Sequence, residues 1–465
     1  MRRRTFILLT AGAAVARPAE TVAPAGTDRM RLSRILRELP PWLLFVLAAA
    51  MLLSAVANSG QGERVFFLST QLRPISEAQK MRNVILKGFS RDVDFATESP
   101  RVFLSQLKAK IESGRSNADV IGALHTELQP LLALDALLPL DDLVSNSAAR
   151  AISGELITLG KFGTPNQFYI PWMQAGYIMV ANKQALRYLP AEADIDRLTY
   201  DQLAAWADNL HENTGKRLLG FPAGTQGLMH RFFEGFLYPS FTGGVVRPFR
   251  SAEAEAMWIQ FAALWKSVNP NAANYSFMAQ PLLSGEVWIA FDHVARLLDA
   301  LRQKPDDFVA LPAPSGSKGR GYMPVLAGLS VLRTTRNIDG ARALIGHLTS
   351  PATQIETARS VGFFPVAETQ LSADLEPSLQ MSGVAIRKTQ SAVDAIRALP
   401  PIGLGARGDE FDQIFLDTFQ FIAQRGQNAR AVLDREAETL QRLLVETGAP
   451  CWEPDPPSPG PCRVQ

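Results

Sequence analysis

Between Arg64 and Ile121 the apolar period of the chain switches repeatedly from strand to helix and back, and this alternation constrains the fold more than any other feature. Arg64–Thr70 (RVFFLST) has the unbroken apolar centre of a buried strand. Ser76 then opens a helix with Gln79 as its capping-box partner, and Met81, Val84, Ile85 and Phe89 share one face. Val93–Ala96 is a second short strand. Ser99-Pro100 supplies an N-cap followed by proline at the first helical position. Phe103, Leu104, Leu107 and Ile111 form the apolar stripe of that helix, and Gly114 ends it. Ala118–Ile121 is a third strand. Strands alternating with helices at this spacing mean βαβ units and a mainly parallel sheet. A chain of 465 residues is too long for one core, so at least two large domains are expected.

The alternation continues downstream. Phe168–Ala181 is extended and apolar, and Thr199–Gln202 is a second capping box, with Leu203, Trp206, Ala207 and Leu210 inward. Met257, Phe261, Leu264 and Trp265 mark another helix. Val287–Phe291 is a strand, after which Asp292 can cap a helix carrying Leu297, Leu298 and Leu301. Phe308–Leu311 is a strand with Leu329–Leu332 as its return, across a Gly/Ser/Pro loop at Pro312–Gly321. Helices follow over 339–349, 351–360, 409–424 and 428–446. Residues 450–465 hold six prolines and form an irregular tail. Cys451 and Cys462 are the only cysteines, which excludes a multi-Cys zinc module. They are expected to pair in an oxidising compartment, closing a small loop that stabilises mainly the tail.

Residues 42–57 (WLLFVLAAAMLLSAVA) carry no charge and end in the small-x-small pattern Ala55-Val56-Ala57. Sixteen residues are short for a membrane span and suit a signal h-region, with Arg31, Arg34 and Arg37 as its positive flank. Cleavage is expected after Ala57 and an export start at Met30, although Met1–Ala16 is also signal-like. Of 47 basic and 45 acidic residues, eight basic and three acidic ones precede Asn58, so the body after it carries a net −3. A body of that charge has no electrostatic case for nucleic acid.

No nucleophile elbow, Walker phosphate loop, HExxH or EF-hand loop is present. Ser315–Gly319 lacks the spacing of a phosphate cradle and suits a turn. His125, His211, His230, His293 and His347 show no metal-ligand spacing. The chain reads as an exported, two-domain α/β protein with no catalytic signature and no cofactor.

Six segments, in order, resemble the extracellular solute-binding proteins of ABC importers, the family that includes maltose-binding protein. They are Val102–Val120 (VFLSQLKAKIESGRSNADV), Leu137–Leu143 (LLPLDDL), Tyr169–Lys183 (YIPWMQAGYIMVANK), Leu198–Ala207 (LTYDQLAAWA), Ser284-Gly285-Glu286 before a strand, and Ser350–Val366 (SPATQIETARSVGFFPV). The resemblance implies a periplasmic-binding fold: two α/β lobes joined by hinge crossovers, with ligand held in the cleft between them. It places the signal region at 1–57, lobe 1 at 58–170 plus 308–349, lobe 2 at 171–307 plus 350–448, and the tail at 449–465. The crossings are expected near Tyr169–Trp172, Phe308–Leu311 and Thr349–Pro351. The implied ligand is a carbohydrate-type solute, delivered in the periplasm by a monomer to the permease subunits of the inner membrane.

Candidate ligand residues follow from position. Trp172 and Gln174 lie two apart on one face of the crossover strand, as a stacking ring and a polar partner. Gly122, Ala123 and His125 follow the third strand, and Asp292 and His293 end a later one, at the carboxyl edges where open α/β sheets bind ligands. Phe363 and Phe364 lie in a Gly-x-x-Pro loop, and in an extended segment only one can face the cleft. Tyr238 and Phe241 precede Thr242-Gly243-Gly244, where backbone can approach a ligand. Each has a plainer alternative, with Trp172 in the core, Asp292 only a helix cap and His125 a structural histidine. A polyamine would need several cleft carboxylates. Ferric iron would want adjacent tyrosines, and no Tyr-Tyr pair occurs. A periplasmic glycosidase would need two carboxyls roughly 5–10 Å apart across the cleft. A receptor subunit presenting ligand to a sensor is a further alternative.

Overall fold

A computed structural model describes residues 64–72, 75–145, 152, 154–367 and 375–465. The export segment expected at 1–57 lies outside them. Among the described residues no helix is long and apolar enough to cross a membrane.

The first three predicted strands form at β1 (Val65–Ser69), β2 (Val93–Thr97) and β3 (Val120–Leu124), all parallel. Three more complete this sheet: β4 (Ile170–Ala175), β10 (Val325–Val331) and β11 (Phe364–Pro365), in the order β11-β4-β10-β3-β1-β2. A second sheet has the order β6-β7-β5-β8, from β5 (Tyr177–Asn182), β6 (Leu219–Gly220), β7 (Ile289–His293) and β8 (Phe308–Leu311). A small parallel pair joins β9 (Arg320–Tyr322) to β12 (Ala395–Arg397). Each large sheet lies in its own apolar core, the first packing Phe67, Trp172 and Leu329, the second Phe232, Trp258 and Phe291.

The sheets are mixed rather than mainly parallel. β10 runs antiparallel to both β3 and β4, and β11 runs antiparallel to β4. The reason is the crossover: β4 carries the chain out of lobe 1, so a strand returning from lobe 2 starts at that same edge and runs the opposite way. For the same reason Leu329–Leu332 does not return on Phe308–Leu311. β8 pairs with β5 in lobe 2, whereas β10 belongs to lobe 1.

The lobe boundaries shift accordingly. The first crossing is Gly176, between β4 and β5, not Tyr169–Trp172. The second lies at Met323-Pro324, after Phe308–Leu311. At Thr349–Pro351 there is no crossing, since β11 (Phe364–Pro365) still pairs in the lobe 1 sheet. The helix Pro351–Val361 stays with lobe 1 because Gln354, 1% exposed, stitches it there. Its Nε2 donates to the Trp172 carbonyl at 2.8 Å, and its Oε1 accepts from the Val366 and Ala367 amides. The helix Pro377–Gln390, for which no pattern had been read, packs on lobe 2. The Thr199 capping box forms as expected, opening the helix Tyr200–Thr214.

The tail is irregular but docked. Cys451 and Cys462 form a disulfide with Cα atoms 4.5 Å apart. The Asp455 carboxylate, 3% exposed, accepts the backbone N–H groups of Val245, Val246 and Arg247 at 2.8–3.0 Å. Glu453 forms a bidentate pair with Arg397, both bonds 3.0 Å, and Trp452 packs against Phe411. The tail is therefore a strap on lobe 2, and the expected pairing of Cys451 with Cys462 forms within it. Replacing both cysteines with serine is expected to lower stability by about 2–3 kcal/mol, from a short loop freed in the unfolded chain. A urea midpoint that does not move would show that the strap holds without its bridge.

Candidate functional site

The carboxyl edge of β1 and the helix Val294–Gln303 of lobe 2 face each other across a cleft of about 740 Å³. From lobe 1 come Thr70, Gln71, Leu72, Glu77 and Phe363. From lobe 2 come Tyr177, Phe277, Gln280, His293, Arg296, Asp299 and Gln303. A smaller chamber of about 100 Å³ lies toward the hinge, lined by His125, Thr126, Arg231, Met323-Pro324 and Leu399-Pro400. Tyr177 and Val325 line both, so the ring of Tyr177 stands in the wall between cleft and hinge.

Position on the chain explains these placements. Tyr177 is the first lobe 2 residue after Gly176, and its ring packs on Phe291 at 5.7 Å and edge-on to His293 at 5.2 Å. Burial raises its phenol above the usual range, so it is neutral. Thr70 Oγ1 donates to Glu127 at 2.5 Å, and Glu127 also accepts the Leu124 amide, tying the ends of β1 and β3 together. Arg296, Asp299 and Gln303 recur on one face of the helix Val294–Gln303, opposite the buried Leu297, Leu298 and Leu301. The Arg296 guanidinium donates to the carbonyls of Gln226 and Ser276 at 2.9 and 3.1 Å and lies 4.5 Å from the Phe277 ring centroid.

Three candidates read from the sequence come to these cavities. His293 and Phe363 line the cleft with ring centroids 6.5 Å apart. His293 also caps its helix, Nδ1 accepting the Ala295 amide at 3.3 Å, which is the role expected of Asp292. His125 lines the small chamber, bonded through Nδ1 to the Tyr169 hydroxyl at 2.9 Å and stacked on Phe162. Burial lowers both histidines to about 4, so both are neutral. As side-chain alternation requires, Phe363 faces the cleft and Phe364 turns away into the lobe 2 core.

The other candidates lie elsewhere. Trp172 is 0% exposed, its ring edge-on to Phe67 at 5.5 Å in the lobe 1 core. Gly122 and Ala123 are buried β3 backbone, not a ligand loop. A Cβ at Gly122 would stand 2.8 Å from the Phe67 ring and 3.0 Å from that of Trp172. Gln174 spends its amide on the Pro365 carbonyl at 2.8 Å, a bond between neighbouring strands. Asp292 is fully buried, accepting the Met278 and His293 amides at 3.0 and 2.7 Å. Tyr238 lies in the lobe 2 core, its hydroxyl donating to the Phe249 carbonyl and accepting from Trp258. Phe241 packs on Tyr200 beside Leu264, away from the cleft.

Among the described residues no group of three or more His, Cys, Asp and Glu side chains is gathered as metal ligands would be. The cleft instead offers three aromatic rings, amides and carboxylates to a polar organic solute.

The family model for the bacterial extracellular solute-binding protein matches residues 91–355. No curated protein sequence matches the chain. By structure it is similar to the GacH receptor of Streptomyces glaucescens, solved unliganded and with acarbose, at 16% identity and a TM-score of 0.63 over 83% of this chain and 98% of that one. It is similar to the sugar-binding protein MalE of Xanthomonas citri, at 15% identity and a TM-score of 0.67 over 82% and 98%. It is also similar to UgpB of Mycobacterium tuberculosis, solved with glycerophosphocholine, at 16% identity and a TM-score of 0.64 over 82% and 98%. The structural matches establish the periplasmic-binding fold and the family match covers more than half of the sequence: the chain belongs to the bacterial extracellular solute-binding proteins.

Proposed function

We propose that the cleft binds a carbohydrate-type solute, that the lobes close on it about the crossings, and that the closed form is presented to the permease of an ABC importer in the periplasm. One observation carries the reading: Tyr177, Phe277 and Phe363 line the same 740 Å³ cleft as Thr70, Gln71, Gln280, Gln303, Glu77 and Asp299. Ring C–H faces of a sugar lie well on aromatic planes, and its hydroxyls need the donors and acceptors of amides and carboxylates. The volume is that of a site for a small organic ligand. Acarbose in GacH and the sugar-binding role of MalE support the class. Residues drawn from both lobes support closure, since a ligand shifts an open–closed equilibrium only by contacts that differ between the two forms.

A polyamine is the second reading. It is favoured by Glu77 and Asp299, because Arg296, the one arginine among the described residues that line the cleft, is committed to two carbonyls and a ring. A thermal-shift screen against maltose, maltotriose, acarbose, glycerophosphocholine and spermidine separates the two. A true ligand at 100 times its dissociation constant should stabilise by about 2.7 kcal/mol. Stabilisation by a saccharide, recovered unhydrolysed, is the expected result. A shift with spermidine alone would move the assignment to a cation, and saccharide turnover would make the protein an enzyme.

A further inference from the structure

We propose that Asp292 is a positioning residue for solute binding: with Arg296 it fixes the segment 276–278 so that the Phe277 ring stands over the cleft as a preformed platform. The inference rests on the cleft being the solute site.

Phe277 is 47% exposed, unusual for a phenylalanine, and it lies in a short connection before the helix Ala279–Ser284. Exposed connections are ordinarily the mobile parts of a fold. Here three successive residues are each held. The Ser276 carbonyl accepts from Arg296 at 3.1 Å, the Phe277 ring lies under the same guanidinium at 4.5 Å, and the Met278 amide donates to Asp292 Oδ2 at 3.0 Å. Arg296 also holds the Gln226 carbonyl at 2.9 Å, which ties in the neighbouring loop that brings Leu228 to the cleft.

Asp292 does this from behind. It precedes His293 on β7, and neighbouring strand residues face opposite sides of the sheet. His293 faces the cleft, and Asp292 is 0% exposed on the other side. It therefore acts on solute only through the Met278 amide. Burying a carboxylate costs heavily unless its oxygens are satisfied, and both oxygens here accept backbone N–H groups. An ordered platform spares the solute the entropy of fixing the loop, which is where pre-organisation gains affinity.

Burial pushes the Asp292 carboxyl up to about 7, against the opposing pull of Arg296 and the two amides. A protonated carboxyl offers one acceptor fewer, so the segment should loosen as pH falls from 8 to 5.5. The charged group that acts on Asp292 is Arg296, and its titratable neighbours are Tyr177 and, next along the strand, His293. The arginine stays charged in that window, while His293, lowered to about 4 by burial, and Tyr177, raised by burial, stay neutral.

Two measurements on the full chain test the role. Amide hydrogen exchange without solute should rise about tenfold over 224–228 and 275–280 in Asp292→Asn, with the rest of lobe 2 unchanged. Expressed as protection factors, so that the slower intrinsic exchange at lower pH drops out, the wild type should show the same local loosening between pH 8 and 5.5, and Asp292→Asn should lose that response. Exchange that is unchanged, or raised throughout the lobe, overturns the positioning role. If Asp292→Asn does not fold, Arg296→Gln decides, and exchange over 224–228 and 275–280 that stays at the wild-type level overturns the proposal. Maltotriose affinity by calorimetry should fall about tenfold in Asp292→Asn, and equal affinity in the two proteins counts against it. Failure of the wild type to bind maltotriose, spermidine or any other solute of the screen would sink the cleft assignment, while the exchange result would still stand on its own.

Discussion

Trp172→Ala is expected to cost roughly 3–5 kcal/mol of stability, the range for emptying a large aromatic from a core, and to leave the solute affinity of the folded fraction unchanged. The indole is 0% exposed, and Phe67 meets its edge at 5.5 Å while also touching Phe95 at 5.1 Å. Gly122 passes so close beneath that no side chain fits there. The Trp172 backbone carbonyl accepts from Gln354 Nε2, so β4 stays tied to the helix Pro351–Val361 in the variant and the loss is that of the ring. The buried Nε1 of Trp172 has no hydrogen-bond partner among the described residues. Trp172→Phe removes that unpaired donor along with part of the volume and should cost only about 1–2 kcal/mol. Urea midpoints and calorimetry on both variants decide. A normal midpoint with binding weakened by a decade or more would return Trp172 to the cleft.

The βαβ alternation and the helix stripes were readable because a buried face repeats its period along the chain. The lobe boundaries were not. Ile170–Val180 is apolar apart from Gln174, and nothing in its pattern marks Gly176 as the point where the chain changes sheets. The site divided along similar lines. The strand-edge argument led to His125 and His293, and the same argument applied to β1 would have led to Thr70 and Gln71. Arg296, Asp299 and Gln303 carried a helical polar spacing that looks like an ordinary solvent face until a second lobe stands opposite. Trp172 misled because a large aromatic at a crossover has the same sequence signature whether its strand face points to the cleft or the core. Phe277 had no signal, since its placement depends on Asp292 and Arg296, distant along the chain and near in space.

Acid should destabilise the protein below about pH 6.5. Burial lowers His125, His230 and His293 to about 4 each, with Arg397, Arg231 and Arg296 respectively adding to it. His230 gains back part of the shift from Asp412, 3.4 Å away. An unfolded histidine takes its proton near 6.5. Between those values the unfolded chain binds protons that the folded one refuses, so these sites favour folding fully above 6.5 and lose that contribution as pH falls toward 4. Three groups oppose them, the third being Asp455, whose carboxyl burial raises against the pull of three backbone amides. Asp292 is raised to about 7 and the buried Glu234 is raised by burial and by Asp412, so the folded chain binds those protons first. Each histidine contributes at most about 1.4 kcal/mol per pH unit in the middle of the window, and the fall in stability is the part of that histidine contribution which the three carboxyls leave uncancelled. Urea midpoints at pH 7.5, 5.5 and 4.5 should fall steadily. His125→Gln can keep a bond to the Tyr169 hydroxyl without titrating, and should flatten the slope by about one proton. Midpoints that hold level or rise on acidification would show that the raised carboxyls, not the histidines, govern the acid response.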